Sequence, residues 1–115
     1  MTITRLDSGP RMSQAVIHND TIYLAGQVGA PGASVREQTQ AILGQIDSLL
    51  ERAGGSKANL LSATIWLASM DDFAEMNAVW DAWIAGVEPP ARATGESRLA
   101  SADYKVEIII VAAKA

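Results

Sequence analysis

The chain has no cysteine and only one histidine. The first absence excludes structural disulfides, thiolate metal sites and a nucleophilic cysteine. The second excludes a multi-histidine metal centre within one chain. That histidine, His18, lies in the turn-like run His18-Asn19-Asp20 between two apolar stretches and reads as an exposed turn residue. Basic clusters are missing too. Nine lysines and arginines are scattered from Arg5 to Lys114 against thirteen acids, for a net charge of -4. Nucleic-acid binders normally gather basic residues into a patch, so this balance argues against such a partner. No stretch is long and apolar enough to span a bilayer. No N-terminal segment has the charged-then-apolar layout of a signal peptide, so the expected location is cytoplasmic.

What is present suits a single domain over 1–115, large enough to bury a core without disulfides or metal. Ser13 to His18 and Thr21 to Val28 read as strands joined at Asn19-Asp20, a hairpin signal. Thr2 to Leu6 leaves room for a short strand before them. Gly29 to Gly32, with Pro31 among them, breaks the pattern into a loop. Ser34-Val35-Arg36-Glu37 fits a capping box. The helix behind it carries Val35, Ile42, Ile46, Leu49, Leu50 and Ala53 near one face, and Gly54-Gly55 ends it. Leu60 to Ala68 is an apolar strand. Asp71-Asp72 opens a second helix at its positive dipole end. Its apolar face is Phe73, Met76, Val79, Trp80, Trp83 and Ile84, and Gly86 with Pro89-Pro90 stops it. Strands over Ala91 to about Arg98 and Tyr104 to Ala113 complete the chain, with a turn near Ser101 to Asp103.

The order β-β-α-β-α-β-β predicts a two-layer α/β architecture, with two helices on one face of a mixed sheet. The other sheet face would then be open and rich in apolar side chains. Self-association into a closed oligomer is the simplest way to cover it.

Against this background a few polar residues stand out. Glu107 is the only charge in Val106-Glu107-Ile108-Ile109-Ile110-Val111-Ala112-Ala113, a run that reads as a strand covered on both faces. A carboxylate there needs a hydrogen bond, a cation or a proton. Arg92, in Pro90-Ala91-Arg92-Ala93-Thr94, is its natural partner. The pair has two readings. Arg92 could anchor a small acidic ligand with its bidentate fork while Glu107 holds or deprotonates a water, or the two could simply neutralise each other. Asn77 falls on the apolar side of the second helix, where a buried amide needs partners, either a backbone loop or a ligand at an interface. Gly26 ends the Leu24-Ala25-Gly26 strand and permits close approach of a backbone or a ligand.

Leu24-Ala25-Gly26-Gln27-Val28, Asp72-Phe73-Ala74-Glu75-Met76-Asn77, Pro90-Ala91-Arg92 and Val106-Glu107-Ile108 follow one another in the order and spacing of a known family. Across essentially its whole length the chain resembles the RidA/YjgF family, historically also labelled L-PSP endoribonuclease. The resemblance implies a chorismate-mutase-like fold and a homotrimer with sheets inward, helices outward and clefts between subunits. It implies hydrolysis of reactive imines and enamines, such as 2-iminobutanoate and 2-iminopropanoate, to 2-keto acids and ammonia. The family's substrate-binding arginine falls on Arg92, its water-positioning glutamate on Glu107, its asparagine on Asn77 and its strand-end glycine on Gly26.

Three positions depart from the pattern. Met12 stands where the family commonly has a tyrosine near the start of the pocket. Ala25 replaces a serine, and Thr94 stands where cysteine is frequent. No metal or organic cofactor is expected, because an imine is already activated toward water. The substrate is expected to be a small carboxylate-bearing imine or keto acid. A non-catalytic small-acid-binding trimer is the alternative, favoured by Met12 and Ala25. A ribonuclease comes third, suggested only by the older family label.

Overall fold

The computed structural model describes residues 2–115. Six strands form one mixed sheet: β1 (Ile3–Leu6), β2 (Ala15–His18), β3 (Thr21–Leu24), β4 (Leu60–Leu67), β5 (Ala91–Glu96) and β6 (Val106–Ala113). Their spatial order is β1-β2-β3-β6-β4-β5. Every pairing is antiparallel except β4 with β5, which is parallel. A parallel neighbour needs a crossover connection, and α2 (Phe73–Ile84) supplies it between β4 and β5. The other helix, α1 (Val35–Ala53), crosses between β3 and β4. The expected two-layer architecture is therefore the observed one, with the optional first strand present.

Local chemistry explains the ends of α1. The Ser34 hydroxyl accepts from the Glu37 amide at 3.1 Å, satisfying one orphan donor. The Glu37 carboxylate reaches back to the Ser34 hydroxyl, at 3.2 Å, rather than to a backbone amide. At the other end Gly54 adopts φ 89°, a left-handed conformation that glycine reaches without strain. The start of α2 is more elaborate than the paired aspartates suggest. Met70–Asp72 forms a 3-10 turn, and the Ser69 side chain caps it at the Asp71 amide.

The core lies between the helices and one sheet face. Ile42, Ile46 and Leu50 of α1 are fully buried against Ile22, Ile65, Ile108 and Ile110. Each such side chain contributes about 1.5–3 kcal/mol by leaving water. Every apolar residue assigned to the α1 face is buried, but in α2 Phe73 is exposed and Trp83 and Ile84 are only partly covered. Strand β6 alternates instead of being closed on both sides. Val106, Ile108, Ile110 and Ala112 are buried, whereas Glu107, Ile109, Val111 and Ala113 are half-open. By register Glu107, Ile109 and Val111 share their face with Trp66, Thr64 and Tyr23. Trp66 and Tyr23 are 36% and 47% exposed, so the helix-free face is apolar and open to solvent.

Candidate functional site

The residues singled out from the sequence fall into two groups on opposite sides of the sheet. The first is built around Glu107, which stands opposite Trp66 on the open face. A single bridge beyond β3 determines its surroundings. The Gln27 amide donates to the Ile108 carbonyl at 2.9 Å, and the Ile108 amide donates back to Gln27 at 3.1 Å. This pairing lays Gly26 directly beside Glu107. The Glu107 carboxylate occupies the space where a side chain at position 26 would begin, so a Cβ there would collide with it. Gly26 thus leaves room for the close approach of a carboxylate.

Buried glutamines hold this segment in place. The Gln27 side-chain amide donates to Gln14 Oε1 at 2.9 Å and to the Ala25 carbonyl at 3.1 Å. Its own Oε1 accepts from Gln45 Nε2 at 3.0 Å, and Gln45 also donates to the Val28 carbonyl. A second buried amide, Gln38 on α1, clasps the turn that leads into β6. It donates to the Ala33 and Asp103 carbonyls and accepts from the Lys105 amide at 2.8 Å. Sequence reasoning missed both Gln27 and Gln38. For Gln38 the available signal was its place on the inward face of α1, three residues after Val35 and four before Ile42. Gln27 lies beyond β3 with the strand parity of the exposed Tyr23, so simple alternation hid it.

The second group surrounds Arg92. Strand β5 runs parallel to β4 with Arg92 opposite the buried Ala63, which turns its side chain toward the helix layer. There the guanidinium lies over the Trp80 ring of α2, 5.4 Å from its centroid. Asn77 is one turn earlier on the same helix and therefore a neighbour of Trp80. It is half-buried instead of enclosed. Thr94, two residues after Arg92, shares its side of β5, and its buried Oγ1 has no hydrogen-bond partner among the described residues.

Arg92 and Glu107 consequently do not meet within the chain, which corrects the expected pairing. Two strand spacings separate β5 from β6, roughly 10 Å, and the side chains leave the sheet in opposite directions. The one ion pair among the described residues joins Asp7 to Arg52, bidentate at 2.8 and 2.9 Å. The hydrogen bond from Arg52 holds the Asp7 carboxyl below the usual carboxylate range, and the pair is solvent-exposed.

The remaining residues are peripheral to these groups. Met12 is exposed in the loop between β1 and β2, beside a hollow of about 580 Å³ that it lines with Asp7, Arg11 and Gln14. His18 is the last residue of β2, not a turn residue, and its Nε2 is buried without a partner among the described residues. A hollow of about 620 Å³ at the ends of β5 and β6, lined in part by Arg98, Leu99 and Tyr104, contains neither Arg92 nor Glu107. Among the described residues no cluster of three histidine, aspartate or glutamate side chains could hold a metal ion, and no helix is long and apolar enough to cross a membrane.

The family model described as Endoribonuclease L-PSP matches residues 2–114. The chain belongs to the YjgF/L-PSP family. It is 47% identical over 116 residues to a RutC family protein of Haemophilus influenzae, covering 97% of this chain and 98% of the relative. It is 48% identical over 113 residues to the RutC family protein YoaB of Escherichia coli K12, covering 98% and 99%. A solved YjgF-family structure from Neisseria meningitidis superposes with a TM-score of 0.97 at 47% identity, over 100% of this chain and 97% of the other. The Rid-family protein YyfA of Yersinia pestis shares the fold at 26% identity and a TM-score of 0.86, over 92% and 90%. The YjgF/L-PSP fold is thus the frame in which both groups of residues sit.

Proposed function

We propose that this protein hydrolyses small reactive 2-imino and 2-enamino acids to 2-keto acids and ammonia, at sites shared between subunits of a homotrimer. One observation carries the reading. Arg92 and Glu107 stand on opposite sides of the sheet, and among the described residues neither is engaged in an ion pair. An arginine and a carboxylate that merely balanced each other would be in contact. Two uncommitted groups on separate faces suit a cleft in which the β5 edge of one subunit approaches the open face of the next. The apolar open face gives the subunits a reason to associate. A site assembled in this way would not form a cavity in one chain, which fits the position of the 620 Å³ hollow away from both residues.

The chemistry follows from the groups available. Arg92 clamps the substrate carboxylate with two parallel N–H donors, and the orphaned Thr94 hydroxyl gains a partner in the bound acid. Glu107 orients a water and takes its proton as the oxygen bonds to the imine carbon. The imine nitrogen is protonated, the resulting carbinolamine collapses, and the C–N bond breaks to release ammonia and leave a ketone. Holding acid and water in one geometry converts an encounter into a unimolecular step. A second reading, a small-acid-binding trimer without turnover, is favoured by Met12, which brings no hydroxyl to the loop where it is exposed. Ribonuclease activity is opposed by the net charge of -4.

The test is turnover of freshly generated 2-iminopropanoate, measured as the excess over buffer hydrolysis. Arg92→Ala should weaken pyruvate binding by about two decades, the loss of a charge-assisted contact. Glu107→Gln should keep binding and lose on the order of 10²–10⁴ in catalysed rate. Binding without turnover in the wild-type protein favours the second reading.

A further inference from the structure

The Arg92 guanidinium rests on an aromatic surface that is itself braced. Trp80 is 4% exposed and lies 5.3 Å from Trp83, ring centroid to centroid, with the planes tilted by 52°. Trp83 is fastened to α1 by its indole N–H, which donates to the Asp47 carboxylate at 3.0 Å. Lys57 completes the support. Its ammonium donates to the Trp83 carbonyl at 2.7 Å and sits 5.4 Å from the Trp83 ring centroid. From Asp47 to Arg92 there is a continuous line of contacts: carboxylate, indole, indole, guanidinium. Arg92 itself is solvent-exposed, at the edge of the sheet. An exposed arginine side chain ordinarily samples many rotamers, and ordering it on ligand binding costs free energy. Resting over a fixed ring restricts that freedom before the ligand arrives.

We propose that Trp80 is a positioning residue. It restrains the Arg92 fork in place for a ligand carboxylate. The inference rests on Arg92 being the carboxylate anchor, and it adds that the anchor's strength comes partly from a ring that never touches the ligand.

Two measurements test it. In NMR spectra of the unliganded protein, the Arg92 side-chain protons should be shifted upfield by the Trp80 ring current. The shift should persist in Trp80→Phe and vanish in Trp80→Leu, which fills much of the volume without a flat face. Arg92 protons at ordinary positions in the wild-type protein would overturn the proposal, whether or not Trp80→Leu folds. In the second measurement, pyruvate affinity is compared among the wild type, Trp80→Leu, Trp80→Phe and Arg92→Ala. Trp80→Leu is expected to bind about ten-fold more weakly, Trp80→Phe nearly as well as wild type, and Trp80→Leu should cost nothing further when Arg92 is already alanine. A general loosening of the core would weaken binding equally in both backgrounds, and that result also overturns the proposal. If Arg92→Ala binds pyruvate like wild type, the anchor assignment fails instead, a result separable from the NMR outcome.

Discussion

At the residue scale, the closest constraint in the molecule is between Gly26 and Glu107. A methyl group at position 26 would meet the carboxylate end of the side chain, which is its flexible end. Gly26→Ala should therefore fold and associate normally while displacing the carboxylate from its seat. The expected result is unchanged pyruvate affinity with a reduced catalysed rate, read by comparing titration with imine turnover. Unaltered turnover would show that the seat is not the working position of Glu107. The Asp7–Arg52 pair makes a separate prediction. Because the Arg52 hydrogen bond depresses the Asp7 carboxyl in the folded protein, the pair adds stability above the ordinary carboxylate range. That increment disappears as the pH falls through the depressed folded value. Both groups are exposed, so salt screens the effect. An NMR titration should find Asp7 titrating below a typical aspartate, and Arg52→Ala should return it to the normal range.

At the scale of elements, the helices were readable because their signals are local. The Ser34 cap, the Gly54-Gly55 stop and the apolar period of α1 each depend on a few neighbouring residues. The six-stranded sheet and its helix-covered face follow from the same local signals combined with the expected layer order. The relation between Arg92 and Glu107 was not readable, because it depends on register through an intervening strand. Arg92 follows Ala63 and Glu107 follows Trp66, and those two β4 residues point to opposite faces. A shift of one residue in either pairing would have placed the two charges on the same side. The β-bulge between Leu60 and Ser62 shows how such a shift arises within β4 itself. The glutamine clasps were equally hidden, since the partners that tie them to other elements are 13 to 67 residues away. Gln38 is the clearest case for measurement. Gln38→Leu would take this partner from the Ala33 carbonyl and the Lys105 amide, while the Asp103 carbonyl would keep the Gly32 amide. Chemical denaturation should show a loss of about 2–4 kcal/mol, the cost of stranding buried polar groups. A loss below about 0.5 kcal/mol would mean that water replaces the side chain at little cost.

At the scale of the whole molecule, the open face is the feature that one chain leaves unresolved. Tyr23, Trp66, Ile109 and Val111 present a surface that water covers poorly. Light scattering at micromolar concentration should give three times the mass of one chain, and a monomer mass would remove the shared cleft along with the trimer. The separation of Arg92 from Glu107 then has a consequence for heredity as much as for chemistry. If each working centre draws its arginine from one copy and its glutamate from the next, the two halves are inherited as separable parts. Arg92→Ala and Glu107→Gln subunits, each inert alone, should complement when unfolded together and reassembled. In a closed ring of random composition, about a quarter of the centres would receive both native residues. Two broken alleles of one gene would thus restore a working enzyme in the cell that carries both.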